Sequence, residues 1–127
     1  MAALPPSFPQ PRRGQIWFVS FPGDPVGKSA RPVLIVSMDG RNAHPRAETV
    51  LAVPFSTTLT DLPIHVRLNP GETGLPETSE LQPENISVIR KQSLKPAPNS
   101  RTLGETILRR VARGVVLSMG IQPRDIG

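Results

Sequence analysis

FPGDPVGKSARPVLIVS, residues 21–37, decides how the chain is read. Gly27-Lys28-Ser29 has the form of the tail of a phosphate-binding loop. The glycine that should open the G-x-x-x-x-G-K-[ST] pattern, however, falls on Pro22, which has no N–H to offer a phosphate. Nor does a helix follow. Pro32 restrains Arg31 to extended geometry, and Val33, Leu34, Ile35 and Val36 read as a buried strand. The stretch is a Gly- and Pro-containing loop that delivers an arginine to the start of a strand.

Outward from it, the neighbouring segments are also extended. QIWFVSF, 15–21, places Ile16 and Phe18 on one face and Trp17, Val19 and Phe21 on the other, so both faces are covered. TVLAVPF, 49–55, is a second continuous apolar run and hence a central strand, whereas IHVRL, 64–68, alternates and has one wet face. Between them lie a polar turn through Asp39, Gly40, Arg41 and Asn42 and, further on, the turn cluster NPGETG, 69–74. Short extended pieces near 79–82 and 86–90 follow. Short strands separated by turns indicate a mainly β (α+β) domain, a small barrel or strongly bent antiparallel sheet of about five to seven strands.

One helix is expected, near the end of the chain. Thr102 and Glu105 have capping-box spacing, Ile107, Leu108, Val111, Ala112, Val115 and Met119 recur at helical spacing, and Gly120 stops the run. Arg109, Arg110 and Arg113 fall on the opposite, solvated side. Residues 1–13, with Pro5, Pro6, Pro9 and Pro11, read as a flexible arm, 14–121 as one domain and 122–127 as a tail.

Composition narrows the function classes. Cysteine is absent, which excludes disulfides, thiolate metal sites and cysteine nucleophiles. No apolar run approaches the roughly 18 residues of a membrane span, and MAALPPSFPQPRR lacks the apolar centre of a signal peptide, so a cytoplasmic protein with no membrane partner is expected. Fifteen Lys and Arg, mostly arginine, against ten Asp and Glu give a formal charge of +5 and favour a polyanion, nucleic acid before membrane. With four phenylalanines, one tryptophan and no tyrosine, a sheet that stacks RNA bases on a row of rings is disfavoured.

Candidate catalysts are few. His44 and His65 are far apart in sequence, no carboxylates and histidines cluster at metal-ligand spacing, and there is no Gly-x-Ser-x-Gly elbow. His65 reads as a surface or packing residue. What stands out is Arg31 entering one central strand and Ser56, Thr57 and Thr58 leaving another. If the two strands are neighbours, an arginine fork and a hydroxyl cluster meet at one rim, an arrangement suited to a phosphodiester. The alternative for the hydroxyls is a turn that satisfies its own backbone.

RGQIWFVSF, a Gly-containing loop, ARPVLIVS, AVPFSTT, LPIHVRL, a Gly-rich turn, ENISVIRK and a closing amphipathic helix resemble, in that order, the MazF/PemK toxin family of toxin–antitoxin systems over residues 13 to about 121. The resemblance implies an SH3-like, CcdB-type barrel with a C-terminal helix and a homodimer. It also implies a metal- and cofactor-free endoribonuclease that cuts single-stranded RNA, held in check by an acidic, MazE-like antitoxin. Arg31 and Ser56 match the family's principal active-site positions. In this scheme the RNA 2′-hydroxyl attacks phosphorus, leaving a 2′,3′-cyclic phosphate and a 5′-hydroxyl. Arg31 stabilises the phosphorane, and Ser56, supported by Thr57 and Thr58, binds an oxygen at the reacting centre.

Glu84 aligns with an acidic residue that some relatives carry in an Asp-Gln-x-Arg motif and is a candidate general base, with Asn85 beside it as an RNA contact; the alternative is a surface carboxylate in a turn. Ser87 stands where that motif has arginine, leaving Arg90 as a displaced substitute. Where the family often has Gly-Ser-Glu in the first loop, this chain has Gly27-Lys28 and no acid there, and Gly27, Lys28 and Ser29 read as an RNA-facing flap. Two further readings belong to other classes: a non-catalytic nucleic-acid-binding barrel, and a topoisomerase poison of the CcdB type.

Overall fold

The computed structural model describes residues 8–20 and 30–126. Seven strands form: β1 (Ile16–Val19), β2 (Arg31–Ile35), β3 (Thr49–Ser56), β4 (Val66–Leu68), β5 (Ser79–Leu81), β6 (Ser87–Arg90) and β7 (Leu94–Pro96). All their pairings are antiparallel, in the order β4-β5-β3-β2-β1-β7, with β6 also paired to β3. At eight residues β3 is long enough to serve two partners along one edge: Thr49–Ala52 pair with β6, and Phe55 and Ser56 with β5. Pro54, which has no N–H to give a ladder, sits where the partner changes, and its carbonyl accepts the Gln82 N–H.

The continuous apolar runs follow from burial on both faces. Leu34, Val53 and Phe55 join Ile16 in one core with Leu108 and Val111 of the C-terminal helix. The residues between them, Val33, Ile35, Val50 and Ala52, enter a second core with Val19, Ile89 and Leu94. Each such side chain contributes about 1.5–3 kcal/mol on removal from water, which fixes the register, because a slip of one residue would exchange the two cores. The alternation expected for β1 holds: Phe18 packs on the first core and Trp17 on the second. β7 was not anticipated; its three residues end in Pro96 and pair with β1 alone.

Among the described residues three α-helices accompany the sheet: α1 (Asp39–Asn42), α2 (Pro70–Thr73) and α3 (Glu105–Ser118). The capping box expected at Thr102 and Glu105 is not formed. α3 starts at Glu105 after Gly104, with no side-chain cap. The Glu105 carboxylate, which the box needs to reach back to the cap, pairs with Arg13 instead, while Leu103 is buried ahead of the helix with its N–H bonded to the Gly14 carbonyl. A capping box does form in NPGETG, where Asn69 and Glu72 exchange side-chain-to-backbone bonds, so that turn is a one-turn helix. On α3 the buried stripe is Leu108, Val111 and Gly114, while Arg109, Arg110 and Arg113 are exposed. Ala112, one step from Val111 and so about 100° around the helix, is exposed, and so is Met119 beyond the helix end.

The polar turn at 39–42 is helical, and its Asn42 is fully buried, bonded to Ser37 and Asp39. Lys91, in the turn that returns the chain from β6 to β7, has no exposure; its Nζ donates to the carbonyls of Arg41 and His44 and lies 5.4 Å from the centre of the Phe8 ring. Burial, and then the nearby Arg41 charge, lowers its pKa. The N-terminal arm expected over 1–13 is described from Phe8 onward, where Gln10 and Arg13 bond to Ala43 and Asp39 at the two ends of α1. Among the described residues no helix is long and apolar enough to cross a membrane.

Candidate active site

β2 and β3 are neighbours, with Val33 opposite Pro54 and Leu34 opposite Val53. Continuing that register by two residues sets Arg31 opposite Ser56. Both line a cleft of about 1050 Å³ whose walls also carry Phe18, Thr57, Thr58, Glu77, Gln82, Asn85 and Ser87. Arg31 and the hydroxyl cluster therefore meet because two central strands, each committed on both faces to the core, end at the same rim.

Ser56 Oγ accepts the Thr58 N–H at 3.1 Å. The turn satisfies its own backbone, as the alternative reading of these hydroxyls has it. The bond uses a lone pair of Ser56 and leaves its proton to be donated elsewhere. Across the cleft, the Asn85 side chain donates to Gln82 Oε1 and Ser87 Oγ to the Asn85 carbonyl. Ser79 lies in the same wall with a buried hydroxyl that has no hydrogen-bond partner among the described residues.

The structure does not bring every expected residue here. Arg90 pairs with Thr49, at the far end of β3 from Ser56 and about 23 Å away along the strand. Glu84 does not line the cleft; its carboxylate is held by His65 Nε2 at 2.6 Å. Gly27, Lys28 and Ser29 lie outside the described residues. Glu77, a carboxylate on the cleft wall, was missed, since nothing in its neighbourhood of Pro76 and Thr78 distinguishes it from a surface residue. Among the described residues no group of three His, Cys, Asp or Glu side chains is placed to hold a metal ion.

His65, expected at the surface or in packing, is only 8% exposed and joins an ionic network behind the hydroxyl segment. Its Nδ1 is 3.1 Å from Glu80 Oε1. Glu80, 1% exposed, also accepts from the backbone N–H groups of Thr60 and Asp61 and from Arg67. The Thr60 N–H, foremost, holds the Glu80 pKa down to about 2 against the opposing effect of burial, with His65, Arg67 and the Asp61 N–H adding to it. Burial by itself would lower the His65 pKa, but the bonds to Glu84 and Glu80 outweigh it and raise it above its ordinary value.

A small antiparallel β-protein that presents an arginine and a hydroxyl turn at the rim of an open cleft is the kind of molecule that binds a phosphodiester. Residues 12–119 match the family described as PemK-like, MazF-like toxin of type II toxin-antitoxin system, and the chain belongs to that family. It is 33% identical over 84 residues to the endoribonuclease MazF1 of Mycobacterium bovis, covering 66% of this chain and 70% of that one. To the probable endoribonuclease MazF5 of Mycobacterium tuberculosis it is 30% identical over 79 residues, or 62% and 67% of the two chains. A mycobacterial endoribonuclease solved in complex with its cognate antitoxin superposes with a TM-score of 0.64 at 25% identity, covering 88% of this chain and 95% of that one. The Mycobacterium tuberculosis toxin MazF-mt6 shares the fold, with a TM-score of 0.68 at 20% identity over 85% and 98% of the two chains.

Proposed function

We propose that this protein is the toxin of a type II toxin–antitoxin pair, a metal-independent endoribonuclease that cleaves single-stranded RNA in the cytoplasm. The observation that carries the reading is the register of β2 and β3, which sets Arg31 against Ser56 on one cleft. The RNA supplies its own nucleophile. Its 2′-hydroxyl attacks the adjacent phosphorus and gives its proton to solvent, the bond to the 5′-oxygen breaks and that oxygen takes a proton from solvent, so that the products are a 2′,3′-cyclic phosphate and a 5′-hydroxyl. The protein needs to supply position and charge. Arg31 neutralises the phosphorane, Ser56 donates to a non-bridging oxygen, and Thr57, Thr58 and Asn85 hold the strand. Glu84, committed to His65, is not assigned the proton of the attacking hydroxyl.

The partners follow from the same surface. An acidic antitoxin segment that competes for the Arg31 rim would silence the cleft, and a homodimer would present two of them. We further infer that the sheet curls into an SH3-like barrel, because the Lys91–Ser93 turn joins β6, on the outer edge of β3, directly to β7, beyond β1 on the other side.

The test is incubation of the protein and an Arg31→Ala variant with a long unstructured RNA in excess EDTA, followed by mapping of the fragment ends. Discrete cuts with 5′-hydroxyl ends are expected, reduced about 10²- to 10³-fold in the variant. Intact RNA across several sequences would instead support a non-catalytic binder or a topoisomerase poison. A binder would lose RNA affinity modestly and in a salt-dependent way on the same substitution.

A further inference from the structure

His65 touches nothing in the cleft, yet its two ring nitrogens reach the elements that form two of the cleft's walls. Nε2 meets Glu84 Oε2 at 2.6 Å, and Nδ1 meets Glu80 Oε1 at 3.1 Å and Thr60 Oγ1 at 3.0 Å. An ionised carboxylate can only accept, and a neutral imidazole has one N–H, so serving both carboxylates requires a proton on each nitrogen. Glu84 belongs to the Pro83–Asn85 turn, whose Asn85 lines one wall. Glu80 is bonded to the N–H groups of Thr60 and Asp61, in the segment that begins with Ser56, Thr57 and Thr58 on the other wall.

The remaining elements packed here narrow the electrostatics to these groups. β4 contributes Arg67, which bonds Glu80 and pairs with Asp61. α3 presents Gly114 to Pro83 and to the Ile64 carbonyl beside His65. The charged groups around His65 are thus Glu80 and Glu84 in direct contact, with Arg67 and Asp61 beyond Glu80.

We propose that His65 is a positioning residue for RNA cleavage, a clasp that ties the hydroxyl-bearing segment after β3 to the Glu84–Asn85 turn and so fixes the spacing of the two walls. The proposal rests on the endoribonuclease reading and adds to it a residue that acts through others. When His65 loses a proton the shorter Nε2–H bond to Glu84 is kept, and Nδ1 turns a lone pair toward Glu80. The Thr60 hydroxyl then swings from Glu80 to the ring. The clasp opens on the side that carries Ser56, and turnover falls while the RNA, held chiefly by its phosphates, stays bound.

The experiment measures kcat and KM for wild type, His65→Gln and Glu84→Gln on a mixed-sequence single-stranded RNA from about pH 6 to about pH 9. For wild type, kcat should fall as pH rises through the raised His65 pKa, although hydroxide alone would speed attack by the 2′-hydroxyl. His65→Gln should lower kcat about 10- to 100-fold with KM within about 3-fold, and should lack the alkaline fall. Glu84→Gln disturbs only the more exposed half of the clasp, so it reports even where His65→Gln does not fold. Losing that carboxylate should move the alkaline fall to lower pH. Wild-type kcat and pH dependence in either folded variant would overturn the proposal. A wild-type protein that cuts no RNA removes the endoribonuclease reading itself, a different failure, and the clasp with it.

Discussion

Gly114→Ala tests how the cleft is held from behind. Gly114 lies on the buried face of α3, and a Cβ there would come within 2.7 and 2.9 Å of the Pro83 ring and 3.1 Å of the Ile64 carbonyl. Neither partner yields easily: the ring is rigid, and Ile64 precedes the residue clasped by two carboxylates. Overpacking of this kind costs about 1–3 kcal/mol, and with three contacts inside normal limits the upper half of that range applies. Alanine returns about 1 kcal/mol of helix propensity, so the net loss is about 1–2 kcal/mol, or roughly 4–8 °C in Tm for a chain of this size. Calorimetry of the variant, paired with Gly40→Ala, checks it. At Gly40 the one atom of the described residues near a new Cβ is Met38 Cε at 3.8 Å, so that substitution should be neutral or stabilising by up to about 1 kcal/mol. A Tm for Gly114→Ala at or above wild type would show that propensity alone governs the site and that α3 does not brace the Pro83–Asn85 turn. Amide exchange at Asn85 and Ile86, whose N–H groups bond within the turn, should quicken in parallel with any loss.

Acid should act on this protein through Glu80. Its pKa is depressed from 4.5 to about 2 in the folded chain, so its contribution is present above pH 4.5 and is lost as pH falls from there to about 2. Urea midpoints should drop across that window, and Glu80→Gln, less stable at neutral pH, should show a shallower fall; an equal slope in both would refute the assignment. Gly74→Ala should destabilise severely, by about 3 kcal/mol or more, because φ is 79° and a Cβ would lie 2.1 Å from the Asn99 carbonyl oxygen. Soluble, wild-type-like variant protein by circular dichroism and thermal melt would count against the closure of α2 on the 97–100 loop.

The strands were legible where the information is local. Alternation in QIWFVSF and the unbroken apolar runs of β2 and β3 reflect how many faces each strand buries, and a pattern of burial is written into adjacent residues. Elements that depend on distant partners were not. β7 is three residues ending in proline, and only its pairing with β1 makes it a strand. The start of α3 was misplaced because Thr102 and Glu105 match a capping pattern, while the Arg13 that takes the Glu105 carboxylate lies across most of the chain. Lys91 reads as one more surface cation in the sequence. Its burial depends on two carbonyls about fifty residues away, at the end of α1.

The same division runs through the site. Arg31 and the hydroxyls of Ser56–Thr58 could be found because each sits where an apolar strand begins or ends, so the fold that buries the strands delivers them to one rim. The segment that carries the hydroxyls has no such support of its own. Leu59 and Leu62 are exposed, and the segment from Thr60 to His65 is held by bonds to Glu80 and Glu84, by the Asp61–Arg67 pair and by the His65 N–H on the Leu62 carbonyl. No local pattern marks such pairs, since a glutamate on a short strand looks the same whether it is solvated or clasped. Holding the wall with buried charge has a consequence that apolar packing would not have. Glu80 keeps its charge further into acid than an ordinary glutamate, and His65 keeps its proton to higher pH than an ordinary histidine, so the range over which both walls are fixed is widened at each end. A cleft that relies on preset spacing keeps it over a broader span of pH than an unpaired histidine and a solvated glutamate would allow.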